Sequence, residues 1–326
     1  MPDETRIAVI GAADFAARYH IPRLVVNPDV ELLALSSRTI ERLQEKAQRF
    51  AVPNVYTDYR ALLDNTPLDA VVISSAHTQH YQQIKDSLER GLHVHVDKHV
   101  VMHASEWQEL MALAKARGLI LMPALNRHLD PANLYAKHLI QSGALGEVFY
   151  ARSLQVNYPR ERSFAILSLA GGGPLVGRGS HMAALIPWLT GWQPAAVAAF
   201  VTYGGKLDVD TGGTVDVHTT NGNFFQIASM KNGFRNVDEV EVVGTEGAVK
   251  VERPRQHTPW QVTHFGKGGE VVPIGELPAG KATTDHFVDV IRGREPSRIP
   301  PADALPAVQI VEAAYESAGS GRVIKL

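Results

Sequence analysis

Between Arg6 and Ala124 short β-branched runs alternate with stretches of helical periodicity, and nothing else in the chain narrows the fold as far. Strands are expected over Arg6–Ile10, Glu31–Ser36, Ala70–Ser74, His93–Val96 and Leu119–Pro123. Helices are expected between them, near Asp14–Val26, Ile40–Phe50, His80–Arg90 and Ser105–Arg117. Gly91 and Gly118 directly follow two of these stretches, as helix-terminating glycines do. Such alternation leads to a parallel sheet, because each crossover helix returns the chain to the same sheet edge and covers one sheet face.

After Asn126 the pattern changes. Pro131–Ser142 reads as one more helix, stopped by Gly143, and longer alternating runs follow it. Those runs are Glu147–Val156, Ala195–Thr202, Thr214–Thr219, Phe224–Met230, Val237–Val243 and Ala248–Glu252. Asn221-Gly222-Asn223 and Gly244-Thr245-Glu246-Gly247 are hairpin signals between them. Helices near Thr284–Arg292 and Ala302–Ser317 close the chain. The expected class is α/β: an N-terminal Rossmann domain with a doubly wound parallel sheet over 1–124, then an α/β domain over 125–326 with a large, mostly antiparallel open sheet. The C-terminal helices are placed to pack back on the first domain.

A chain of 326 residues holds two domains with a core in each. A net charge of −2 offers no polybasic surface, so neither nucleic acid nor an anionic membrane is an expected partner. The absence of cysteine excludes disulfides, thiolate zinc sites and a cysteine nucleophile. No apolar run approaches the ~20 residues of a membrane helix. The first strand begins too early for a signal peptide, so a cytoplasmic location is expected.

Gly11-Ala12-Ala13-Asp14-Phe15-Ala16 joins the first strand to the first helix. A turn of this kind presents backbone N–H groups and the positive end of a helix dipole, which suits a pyrophosphate. Gly11 and Ala16 match the G-x-G-x-x-G/A pattern. Ala13 stands where a second glycine would let phosphate approach, and its methyl group weakens binding without excluding it. An ordinary tight turn has the same ingredients. The second strand ends in Ser36-Ser37-Arg38, where selection of NAD usually needs a carboxylate. Ser37 and Arg38, with Arg42 one helical turn on, suit a 2′-phosphate instead. Given a Rossmann domain, NADP is expected ahead of NAD; a polar strand end is the plain alternative.

Lys98, in Asp97-Lys98-His99, follows a strand at the carboxyl edge of the parallel sheet. It is either a solvated loop charge or a group aimed at a substrate oxygen, and position alone favours the first. His181 opens a helix after Gly177-Arg178-Gly179-Ser180, and histidine exchanges protons near neutral pH. With 14 histidines in the chain, one alone means little. His93, His95, His99 and His103 lack the spacing of a zinc site, so no metal is expected.

Together these pieces resemble the Gfo/Idh/MocA family, named for glucose-fructose oxidoreductase, inositol dehydrogenase and a rhizopine-catabolism protein. The resemblance runs in order through Tyr19-His20-Ile21-Pro22, Leu68–Ile73 with His80, and Gly91–Lys98 ending in a variant of the family's E-K-P. It continues through Asn126-Arg127-His128-Leu129-Asp130-Pro131, then Gly172-Gly173-Pro174-Leu175 to His181, Arg292–Pro296 and Glu312–Ser317. It implies a nicotinamide cofactor held by Gly11, Ala12, Ala13, Asp14, Phe15, Ala16, Ser37, Arg38, Arg42, Ser75, Ala76, His80, Asp97, Lys98 and Asn126. It implies substrate contacts at Lys98, Arg127, Arg178 and His181, with Lys98 on the reacting oxygen and His181 relaying the proton. Arg178 is the residue placed to recruit an anionic substrate.

The chain departs from the family at Asp97 and His99, which replace Glu and Pro, at Ser75-Ala76-His77, and at Gly177, where the family has an aspartate. The expected activity is hydride transfer to or from a carbinol or ketone of a sugar, cyclitol or related polyhydroxylated metabolite. Alternatives are a lyase, isomerase or glycosidase using the cofactor transiently, or a non-catalytic dinucleotide-binding regulator. A homodimer or homotetramer paired through the open sheet is expected.

Overall fold

The computed structural model describes residues 4–157, 166–204, 208–231, 233, 235–253 and 258–326. The chain divides into two compact units, one of Met1–Leu125 with Lys281–Ala302, the other of Asn126–Gly280 with Asp303–Leu326.

The first unit is built on β1 (Thr5–Ile10), α1 (Asp14–Tyr19), α2 (Ile21–Val26), β2 (Val30–Ser36), α3 (Ile40–Phe50) and β3 (Asn54–Tyr56). α4 (Tyr59–Asn65), β4 (Ala70–Ile73), α5 (His80–Glu89), β5 (His93–Val96), α6 (Ala104–Arg117) and β6 (Leu121–Pro123) follow. Its six strands are all parallel, in the order β3-β2-β1-β4-β5-β6. Ile7–Ile10 and Ala70–Ile73 are buried along their whole length, as central strands covered on both faces must be.

Two details differ from expectation. The single helix expected over Asp14–Val26 is two, joined at His20. Pro22 has no N–H to donate and its ring would meet the carbonyl of Arg18, so a continuous helix is broken there. β3 and α4 lie where no element was expected. β3 is a three-residue edge strand, and α4 starts from Asp58, whose carboxylate accepts from the Arg60 N–H at 2.9 Å.

The second unit contains α7 (Pro131–Gln141), β7 (Val148–Asn157), α8 (Leu167–Ala170), α9 (Ser180–Thr190), β8 (Pro194–Tyr203) and β9 (Asp210–Thr219). β10 (Phe224–Lys231), β11 (Val237–Gly244), β12 (Gly247–Glu252), β13 (Gln261–Gly266) and β14 (Val271–Val272) continue it. α10 (Thr283–Ile291) returns to the first unit, and α11 (Leu305–Ser320) with β15 (Ile324–Lys325) completes the second. The nine-stranded sheet has the order β14-β13-β12-β11-β7-β10-β9-β8-β15. Only β7 and β10 pair in parallel. Val197, Val217, Phe225, Ile227, Val240, Val242, Val249 and Val251 alternate onto its covered side, and α11 packs on β8 and α9. No helix among the described residues is long and apolar enough to cross a membrane.

Candidate active site

In the first unit the strand order reverses between β1 and β4, and ligands of doubly wound sheets sit beyond the carboxyl ends of the strands at such a point. Gly11 closes β1 there with φ +84°. A Cβ on Gly11 would lie 2.5 Å from the Cα and N of Ser75, so the turns after β1 and β4 pass at a separation only glycine permits. The N–H groups of Gly11 and Ala12 donate to the Ser36 carbonyl at 2.9 and 2.8 Å, which ties the end of β2 to the same turn. Ala13 precedes α1 in extended conformation with no side-chain cap, and Asp14, Phe15 and Ala16 form the first turn. Asp14 is exposed, 3.8 Å from Lys46 Nζ. Past β2, Ser37 is half-buried, while Arg38 and Arg42 are exposed.

Asp97 and Lys98 leave β5 at this edge. Asp97 Oδ1 lies 3.0 Å from His20 Nε2, Oδ2 accepts from Ser74 Oγ at 2.5 Å, and His20 Nδ1 is 2.7 Å from Thr284 Oγ1 of α10. Burial alone would raise Asp97; the charge and hydrogen bond of His20 and the Ser74 hydroxyl outweigh it and bring the carboxyl down to about 2. Lys98 is half-buried, and its peptide bond to His99 is cis. His80 is fully buried, with Nδ1 2.9 Å from the His99 carbonyl and Nε2 3.2 Å from the Ser75 carbonyl. Burial lowers its pKa and holds the ring neutral, so it fixes the loops after β4 and β5. Ser75 donates to Gln83 Oε1 at 2.5 Å, and Ala76 precedes a short turn that leads into α5.

In the second unit His181 lies in the first turn of α9, half-buried, and Leu175–Gly179 ahead of it form a π-helical turn carrying Gly177 and Arg178. Turns of this type are frequent at functional sites. Asn126 is exposed at the start of the unit. Arg127, expected at the substrate, is instead buried: its Nη2 donates to both oxygens of Asp238 at 2.9 and 3.0 Å. The paired carboxylate makes it an internal strut. Arg253 donates to Asp238 Oδ2 at 3.1 Å, Gln155 to Oδ1 at 3.1 Å, and Arg178 Nη1 stands 3.6 Å from Oδ2. Burial would raise Asp238; Arg127, Arg178 and Arg253 hold it below the usual carboxylate range.

The parallel sheet therefore brings Gly11–Ala16, Ser37, Arg38, Ser75, Ala76, Asp97 and Lys98 to one edge, and the second unit brings Arg127 and Arg178 to one carboxylate. Sequence reasoning missed Ser74 and Thr284 around Asp97, and Asp238, Gln155, Arg253 and Trp260 around the arginines. No local pattern marks these partners. Among the described residues no three His, Asp or Glu side chains are grouped to hold a metal. His93 Nδ1 instead accepts from the Ile120 N–H at 3.0 Å, and buried His95 packs against His20 and Phe287 with ring centroids 5.4 Å apart.

A doubly wound sheet with a glycine turn at its reversal and a lysine at the same edge defines a dinucleotide-binding oxidoreductase. The chain belongs to the Gfo/Idh/MocA oxidoreductase family: residues 5–125 match its NAD-binding Rossmann fold and residues 133–250 match its C-terminal domain. It is 29% identical over 321 residues to the dTDP-3,4-didehydro-2,6-dideoxy-alpha-D-glucose 3-reductase of Streptomyces antibioticus, covering 94% of this chain and 95% of that protein. It is 28% identical over 180 residues to the D-glucoside 3-dehydrogenase of Escherichia coli (strain K12), covering 54% of this chain and 51% of that one. The crystal structure of GenD2 from gentamicin A biosynthesis, in complex with NAD, matches with a TM-score of 0.86 at 26% identity, covering 100% of this chain and 97% of that one.

Proposed function

We propose that this oxidoreductase prefers NADP and moves hydride to or from a carbinol or ketone carbon of a sugar, cyclitol or related polyhydroxylated metabolite. The observation that carries the reading is Lys98 at the carboxyl edge of β5, directly after an Asp97 that His20 and Ser74 fix in place. The close passage at Gly11 fits a bound dinucleotide, since a side chain there would push the turns apart. Ser37 and Arg38 suit a 2′-phosphate, and no carboxylate ends β2 to repel one. Both named relatives act at position 3 of a glucose-type sugar, which supports a hexose ring hydroxyl or ketone as the reacting group.

When bound, the nicotinamide supplies or accepts the hydride. Lys98 donates a hydrogen bond to the reacting oxygen, and a charged donor stabilises that oxygen most as it gains negative character. His181 gives or takes the hydroxyl proton. Binding in both units positions the reacting carbon.

We also propose a homodimer or homotetramer paired through the open face of the nine-stranded sheet. Phe200 is 79% exposed there, and Tyr203, Phe149 and Phe224 are exposed as well. The test of activity is NADPH oxidation with ketosugars and NADP reduction with a sugar and cyclitol panel. Net cofactor turnover supports the reading; substrate conversion without net cofactor change assigns transient redox instead.

A further inference from the structure

Asp238 is an over-subscribed carboxylate. Arg127 Nη2 meets both its oxygens, Gln155 takes Oδ1 and Arg253 takes Oδ2. Those contacts use the roughly four acceptor positions of an ionised carboxylate. Arg178, at 3.6 Å, is close enough for an ion pair with Asp238 and too far for a hydrogen bond to it. The second carboxylate acting on this group is Asp130, which caps α7 by accepting from the Ala132 N–H at 3.0 Å. Arg127, Arg178 and Arg253 thus face Asp238 and Asp130, an excess of positive charge among the described residues.

The arginines divide by exposure. The Arg127 side chain is 8% exposed, while those of Arg178 and Arg253 are 23% and 25% exposed and reach the surface. Arg253 and Arg127 each stack on the Trp260 ring at 4.7 Å, which fixes the plane of the Arg253 fork before any ligand arrives. Guanidinium groups do not shed their protons, so an unbalanced, partly buried set is costly unless an anion completes it. Arg178 lies one turn ahead of His181. Beside it Gly177 has no side chain, and a Cβ there would meet nothing within 4 Å, so the space is open and uncharged.

We propose that Arg178 and Arg253 bind phosphate groups of the substrate, so that the sugar acted on is a sugar phosphate or a nucleoside-diphosphate sugar. A single carboxylate is satisfied by one fork, as Asp238 is by Arg127. Two forks on separate elements, the turn before α9 and the residue after β12, match the wider spread of phosphoryl oxygens. The family aspartate at position 177 would place a negative charge beside that anion, and its replacement by glycine removes the repulsion. This assignment rests on the proposed oxidoreductase reading for the word substrate alone.

The test titrates inorganic pyrophosphate into protein saturated with NADP, so that the phosphate loop of the first unit is occupied, and follows tryptophan emission. Loss of the signal in Trp260→Phe assigns it to this site. Saturable binding is expected, weakened about tenfold or more in Arg178→Gln and in Arg253→Gln, the scale of a lost charged hydrogen bond. Gly177→Asp, which has room for its side chain, should weaken binding in the same direction. Glucose 1-phosphate and UDP-glucose as competitors separate the two phosphate sources, and displacement by either supports the site. Sodium glucuronate binding as tightly as pyrophosphate would overturn the phosphate assignment. So would unchanged affinity in the arginine variants or, where these fail to fold, in Gly177→Asp. NADP binding by the same sample, read from nicotinamide fluorescence, reports separately on the oxidoreductase reading.

Discussion

Asp97 Oδ1 lies 3.0 Å from His20 Nε2 across 77 residues of sequence, and this contact ties the strand that ends in Lys98 to the break between α1 and α2. With Ser74 and Thr284 it forms a chain of hydrogen bonds under the carboxyl edge of the sheet. The shorter acid at position 97 is therefore the buried anchor of the loop that carries Lys98.

Asp97→Asn should lower stability on the order of 2 kcal/mol at neutral pH, from a carboxyl brought from 3.8 to about 2. A carboxyl depressed in the fold stabilises it fully above its unfolded value and loses that contribution as pH falls through the folded value. Urea unfolding at several pH values should show a constant gap between wild type and variant above about pH 5. The gap should narrow below about pH 4. A gap that widens on acidification contradicts the assignment.

NADPH should bind more tightly than NADH, and Arg38→Ala should remove most of the difference. Fluorescence titration of both nucleotides measures it. A charge-assisted contact of this kind is worth roughly tenfold or more in affinity. Equal or tighter binding of NADH overturns the NADP preference.

Light scattering should report a dimer or tetramer, and Phe200→Glu should shift it toward monomer by placing a charge on the exposed apolar face. A wild-type monomer at working concentration rules the assembly out.

The alternation before Ala124 made the parallel sheet readable, because buried strands such as Val71–Ile73 are continuous apolar runs. β3 and α4 were not readable: one is a three-residue edge strand, the other a single short helix begun by a cap. β13, β14 and β15 also escaped, since two-residue edge pairs carry no period. Gly11 and Lys98 could be placed from local pattern. The partners that give these sites their chemistry could not, because Thr284 reaches His20 across 264 residues and Asp238 reaches Arg127 across 111. Contacts of that range are set by packing of whole elements. Arg127 shows the consequence: its charge suggested a ligand, and its burial against Asp238 makes it structural.

The most direct measurement is single-turnover hydride transfer in Lys98→Ala, with cofactor binding followed in the same sample. The proposed role calls for a loss of about a hundredfold to a thousandfold in rate while NADP affinity is retained. His181→Ala should flatten the pH–rate profile alongside it. Wild-type turnover in Lys98→Ala would contradict the assignment and place the hydride-transfer site elsewhere.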